Sequence, residues 1–334
     1  MIYKNIDIHN CREILKNDET GLYMMSRIPV ELNDKIEGNA FQDSGVELRF
    51  VPNDDEIKIV LRTQKDCAVR AIIYFGSIQS GWEQLYKTIN PEPTEIVIKK
   101  PQNIELLQRI TDENGFPFSP NVVRVILTNG IYEIGDVIGD CRPPRDDEVP
   151  QRKYLAYGSS ITHGSLGMVQ PNTYVSRVGE AFNADVTNMG FAGNARLESD
   201  MAEYIANDCY FDFATIEMGI NILDIPCDDF ENRVRNFVST IAKAHSDKPI
   251  FCIDVFYMYQ DMEEDDAPNC KPRAFREIVK RVIGELNFKN VTYIRGTDLM
   301  CGSRFLSQDS VHPNARGMEE ISVNLIKTIK NKIC

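Results

Sequence analysis

The chain has no run of eighteen or more apolar residues, so no transmembrane helix is expected. It has no C-x-x-C pair, and its nine cysteines, Cys11, Cys67, Cys141, Cys209, Cys227, Cys252, Cys270, Cys301 and Cys334, are odd in number and widely spaced. That excludes a zinc ribbon and a disulfide framework and fits free thiols in a reducing compartment. Basic charge is scarce: 37 Lys and Arg stand against 50 Asp and Glu, a net charge of −13. A phosphate backbone or an anionic membrane wants the opposite balance, so neither is an expected partner. The opening residues, MIYKNIDIHNCREILKND, contain no uninterrupted apolar core and no small-residue cleavage site. They do not read as a secretory signal, and the protein is expected to be cytoplasmic. Also missing are a G-x-S-x-G elbow, a phosphate-binding G-x-x-x-x-G-K-[ST] loop and an H-E-x-x-H pair.

What is there divides into two grammars. A length of 334 residues suits about two domains of ordinary size. Residues 1 to 140 read as short strands with turn residues between them, the pattern of an antiparallel sandwich. VELRFVP (46–52) and EIKIVLRT (56–63), separated by Asn53-Asp54-Asp55, predict a hairpin. AVRAIIYFG (68–76), TEIVIKK (94–100) and VVRVILTNG (122–130) continue the pattern, while IELLQRI (104–110) fits a strand or a short helix. Residues 141–152, rich in proline and charge and without periodicity, read as a linker. From 153 to 334, apolar strands (153–158, 184–190, 211–219, 249–256, 291–296) alternate with amphipathic helices (173–183, 199–208, 228–245, 272–287, 315–332). That alternation predicts a parallel sheet covered by helices on both faces.

Ligands of an open parallel sheet bind at the carboxyl ends of its strands, so the residues just beyond each strand are the candidates. Ser160, in a strand-to-helix turn entered through Gly158, is the candidate nucleophile, activated by a neighbouring base. The alternative is an ordinary helix-capping serine. His312 is the candidate base, with Asp309 three residues earlier to fix its tautomer. The alternative there is a turn before the last helix, with Asp309 as an incidental cap. Asn221 and Gly193, with the Ser160 amide, are candidate donors to an oxyanion, glycine allowing close backbone approach. Both residue types also serve ordinary turns. His163, Tyr257 and Trp82 are candidate substrate contacts. For Tyr257 and Trp82 the alternative is burial as core aromatics. His245 is expected at a helix end and His9 at the surface. The acidic run Glu263-Glu264-Asp265-Asp266 lacks the spacing of a calcium loop and reads as a solvated segment.

These residues, in this order, resemble the SGNH, or GDSL-type, hydrolase family over about residues 153–330. Ser160 in GSSIT matches the first block, Gly193 in NMGFAG the second, Asn221 in GIN the third, and Asp309 and His312 in DSVHP the last. The resemblance implies a flavodoxin-like three-layer α/β/α domain and a serine esterase needing no metal or other cofactor. Two positions depart from the family pattern: Ser159 precedes the nucleophile where the family has aspartate, and Ile222 follows Asn221 where it has aspartate again. The N-terminal half resembles the jelly-roll domains that precede SGNH domains in some carbohydrate esterases. This implies short acyl groups, such as acetyl, on a sugar. An acyltransferase using the same acyl-enzyme, and a non-catalytic carbohydrate-binding protein, are the alternatives. The faces and edges of a sandwich also leave room for a homo-oligomer.

Overall fold

The structure is a computed structural model that describes residues 1–36, 39–263 and 271–333. The chain divides into two compact units. One comprises residues 1–30, 40–151 and 183–185, the other residues 31–39, 152–182 and 186–334.

The first unit is built on two antiparallel sheets. One contains Ile6–His9, Glu47–Pro52, Val123–Leu127 and Val69–Phe75 in neighbouring positions; the other orders Thr94–Lys99, Glu56–Thr63, Tyr132–Ile138, Tyr23–Ser26 and Glu13–Lys16. Glu56–Thr63 alternates strictly, Ile57, Ile59 and Leu61 facing inward, as a strand with one buried face must. These meet Leu48, Phe50, Ile73, Val125 and Ile96 in one apolar core. The expected hairpin is not formed. Glu47–Pro52 pairs with Val123–Ile126, whereas Glu56–Thr63 pairs with Thr94–Lys99 and Tyr132–Ile138. The turn at 53–55 carries the chain from one sheet to the other and is held by Asp140, whose carbonyl accepts the Asn53 and Asp54 amides. Ile104–Asn114 is a helix, closed by Gly115 in the left-handed conformation. The stretch expected as a linker is instead packed into this unit. Cys141 and Arg142 pair with Pro52 and Val51, and buried Glu148 takes two hydrogen bonds from the Arg142 guanidinium, both 2.7 Å.

Among its described residues the second unit has five strands, labelled here β1 (Arg152–Gly158), β2 (Ala184–Gly190), β3 (Phe213–Glu217), β4 (Ile250–Ile253) and β5 (Val291–Ile294). Their order is β2-β1-β3-β4-β5, with β1, β3, β4 and β5 paired in parallel. Every residue of β3 and β4 is buried, as expected of a sheet covered on both faces. Among the described residues from 152 on, the α-helices are α1 (Ser160–His163), α2 (Tyr174–Ala181), α3 (Ser199–Asp208), α4 (Cys227–Ala244), α5 (Lys271–Leu286), α6 (Gly296–Leu299) and α7 (Ala315–Ile333). In α4, Phe230, Val234, Phe237, Val238 and Ile241 recur at helical spacing and are fully buried. The expected α/β fold is observed. No helix among the described residues is long and apolar enough to cross a membrane.

Candidate functional site

The carboxyl ends of β1, β2 and β3 and the turn before α7 supply the candidate residues. After β1, the Ser159 side chain caps α1 by accepting the Ile161 amide at 3.2 Å. The capping serine is therefore Ser159, which leaves the neighbouring Ser160 hydroxyl for other use. Ser160 is the first residue of α1, and its amide has no acceptor within that helix. Its Oγ lies 2.6 Å from His312 Nε2, and His312 Nδ1 lies 2.5 Å from Asp309 Oδ2. With the proton on Nδ1, the ring donates to the carboxylate and presents Nε2 as acceptor for the serine hydroxyl.

The turn that carries Asp309 and His312 is built to hold that geometry. Asp309 Oδ1 accepts the amides of Val311 and His312, both at 3.0 Å. Ser310 between them takes the left-handed conformation, with φ +58°. The Ser307 amide closes the turn on the His312 carbonyl at 2.8 Å, and Asn314 caps α7 through the Arg316 and Gly317 amides. Partial burial works against the Asp309 charge, but the two amides and the imidazole hold its carboxyl below the usual range. Ser160 is buried, while the Asp309 side chain is 40% exposed.

Hydrogen bonds link the loops that carry the oxyanion candidates. The Asn221 side chain donates to the carbonyl of Asn194, the residue after Gly193. The Phe191 amide donates to the Gly158 carbonyl at 2.8 Å, tying the loop after β2 to the turn that carries Ser160. Gly193 is in the left-handed conformation. Its φ is +75°, and an added Cβ would meet nothing within 4 Å, so the backbone conformation calls for glycine. Ile222, at the second departing position, is buried.

The substrate-contact candidates differ in exposure. His163 is buried, its Nδ1 3.4 Å from the Gly190 carbonyl. Tyr257, beyond β4, is half-buried. Trp82, in the first unit, is 97% exposed, which removes the alternative of a buried core aromatic. His245 caps the end of α4, as expected. His9 is partly buried, not at the surface. Residues 264–266 of the acidic run, with Cys270 and Cys334, lie outside the described residues.

Three features escaped the sequence reading. Residues 31–39 belong to the second unit, where the Asn39 side chain donates to the Ala192 carbonyl at 2.6 Å, next to Gly193. Arg276 on α5 is buried and organises the segment beyond β4: it donates to the Val255 and Phe256 carbonyls and grips Asp261 through two nitrogens. Glu217, the last residue of β3, lies buried directly behind the turn that carries Ser160. Its visible signal was a charge at the end of an otherwise apolar strand.

The sequence profile of the GDSL-like Lipase/Acylhydrolase family matches residues 151–330, more than half of the chain. Comparison with curated protein sequences finds no match. Among solved structures, the salicylyl-acyltransferase SsfX3 from a tetracycline biosynthetic pathway is similar at TM-score 0.79 and 17% identity, over 99% of this chain and 96% of that one. A family two carbohydrate esterase from Clostridium thermocellum, in complex with cellohexaose, is similar at TM-score 0.60 and 13% identity, over 86% and 92%. An acetyl xylan esterase, Est2A, from the rumen bacterium Butyrivibrio proteoclasticus is similar at TM-score 0.60 and 11% identity, over 99% and 97%. At these identities the structural likenesses establish fold alone. The profile match, over the half of the chain that carries the Ser160, His312 and Asp309 arrangement, makes this chain a member of the GDSL-like lipase/acylhydrolase family of ester-hydrolysing enzymes.

Proposed function

We propose that the protein is a serine esterase that removes short acyl groups, acetyl foremost, from a carbohydrate. The observation that carries the reading is the hydrogen-bonded chain from Ser160 Oγ through the His312 imidazole to Asp309. His312 takes the hydroxyl proton as Ser160 Oγ attacks the ester carbonyl, and Asp309 stabilises the imidazolium that forms. The tetrahedral oxyanion is held by the Ser160 and Gly193 amides and the Asn221 side chain. Collapse expels the sugar hydroxyl, which receives its proton from His312. Water then attacks the acyl-enzyme by the same route and releases the acid. Water apart, the nucleophile, the base and the oxyanion donors are all groups of this chain. The carbohydrate part draws on the two esterases of similar fold, one of them holding cellohexaose.

An acyltransferase is the second reading. It is favoured by the likeness, along nearly the whole of both chains, to a protein named as a salicylyl-acyltransferase. The two readings share the acyl-enzyme and differ in whether water or another alcohol accepts the acyl group.

The test is hydrolysis of aryl acetate, butyrate and octanoate by the wild type and by Ser160→Ala, repeated with a sugar alcohol present. Fastest turnover of the acetate, lost in the variant, is the expected result. Acylated sugar appearing in place of free acid would favour the transferase. Turnover that survives Ser160→Ala would refute the nucleophile, and binding of acetylated sugars without turnover would favour a non-catalytic carbohydrate-binding protein.

A further inference from the structure

We propose that Glu217 is the positioning residue of the nucleophile turn, carrying from β3 the carboxyl group that the family pattern places at position 159. The inference rests on Ser160 being the nucleophile. Glu217 Oε2 accepts the Ser159 amide at 2.6 Å and the Thr162 hydroxyl at 3.1 Å. Thr162 Oγ1 lies 2.6 Å from the Tyr174 hydroxyl. Because Thr162 spends its only proton on Glu217, Tyr174 is the donor in that pair, and a single line of hydrogen bonds runs from α2 through α1 to β3. One carboxyl oxygen thus holds residues on both sides of Ser160.

The backbone has been fitted around this group. A Cβ on Gly158 would lie 2.4 Å from Glu217 Oε2 and 2.2 Å from Thr162 Oγ1, so only glycine lets the turn reach the carboxyl. Glu217 Oε1 is buried and has no hydrogen-bond partner among the described residues. Burial pushes the carboxyl above its usual range, against the pull of its donors at Ser159 and Thr162 and of the His312 charge. A site that already strains to hold one carboxyl cannot accept a second. Aspartate at 159 would set two such groups side by side. Ser159 and Glu217 are therefore a matched pair, and the aspartate missing before the nucleophile is a relocation of the carboxyl group.

The experiment measures the rate at which a fluorophosphonate labels Ser160, with kcat and KM for aryl acetate and a thermal melt of each variant. Glu217→Ala is expected to slow labelling and lower kcat by about 10–100-fold with KM within twofold, as misplacement of a reacting group does. Glu217→Gln keeps an acceptor for the Ser159 amide and the Thr162 hydroxyl and is expected to recover most of that loss. Ser159→Asp is expected to slow labelling in the wild-type background and to be rescued at least in part by Glu217→Gln. This pair decides the matter if Glu217→Ala does not fold. Wild-type labelling rates in folded Glu217→Ala, or in Ser159→Asp, would overturn the inference while leaving Ser160 as nucleophile. A wild type that takes no label at Ser160 would overturn the esterase reading and this inference with it.

Discussion

In the antiparallel unit Glu47 is buried between two arginines, whereas in the parallel unit Glu217 and Asp254 are buried against two neutral donors each. Glu47 accepts Arg49 at 2.8 Å and Arg124 at 2.6 and 2.8 Å. Burial opposes its charge, but the Arg124 and Arg49 guanidiniums hold the carboxyl far below its usual range. Asp254 accepts the Tyr293 hydroxyl and the Gly296 amide, both at 2.6 Å, and burial pushes it up to about 6. Asp43 shows that donor supply matters more than address. It lies in the first unit, its Oδ1 accepts the Gly130 amide, its Oδ2 has no partner among the described residues, and burial pushes it up to about 6. Neighbouring antiparallel strands project side chains at one another and can surround a carboxylate with cations. The end of a parallel strand meets mainly turn amides and hydroxyls, which stabilise a carboxyl without fully compensating its charge.

The contrast can be tested from the largest expected effect downward. Ser160→Ala should reduce ester turnover by about 10⁴-fold or more, with an unchanged circular dichroism spectrum, if the parallel unit holds the chemistry. Glu47→Ala should cost about 3 kcal/mol in denaturant unfolding, because it takes from Arg124 and Arg49 the carboxylate they share, Arg49 keeping its bond to Asp185 at 2.8 Å. A loss below 1 kcal/mol would remove the distinction drawn for that unit. Asn221→Ala should lower kcat by about 10²–10³-fold with little change in KM, the signature of a donor engaged mainly in the transition state.

The smallest effect is a difference in pH dependence. Asp254 has a folded value above its unfolded one of 3.8, so its contribution to stability is full below pH 3.8 and is lost as pH rises through about 6. Glu47 has the opposite sign: its contribution is full above the unfolded value of 4.5 and is lost as pH falls below it. Asp254→Asn should therefore flatten the melting temperature between pH 5 and pH 7.5, by roughly 2–4 °C relative to the wild type. An unchanged slope would show that the Tyr293 and Gly296 bonds compensate the ionised form.

The parallel unit was more legible in the sequence than the antiparallel one, and the reason is chain geometry. A parallel strand must be followed by a crossover, so strand, loop and helix recur in order, and Ser160, Gly193, Asn221 and Asp309 with His312 each fall just past a strand or just before a helix. In the sandwich, the pattern around 53–55 correctly marks two strands and a turn but carries no information about which sheet each strand joins. The segment 31–39 was missed for a similar reason, since its membership of the second unit rests on contacts such as Asn39 with the Ala192 carbonyl. Glu217 was missed because its partners are a backbone amide and a hydroxyl, which leave no complementary charge in the sequence. At Gly193 the residue type was legible, and its left-handed backbone was not foreseen.

The crossing at Asn53–Asp55 also bears on how the chain reaches this state. Because Glu47–Pro52 and Glu56–Thr63 do not pair with each other, that turn cannot seed either sheet as an isolated hairpin. Glu47 finds its partner at Ile126, nearly eighty positions away, and Glu56 finds its own at Lys99. A long loop must close before those contacts stabilise anything, so the antiparallel unit is expected to fold over roughly milliseconds to seconds. Until it does, the apolar edges of Ile57, Ile59 and Leu61 stand open, and that interval is when the nascent protein is most exposed to misassociation with other chains.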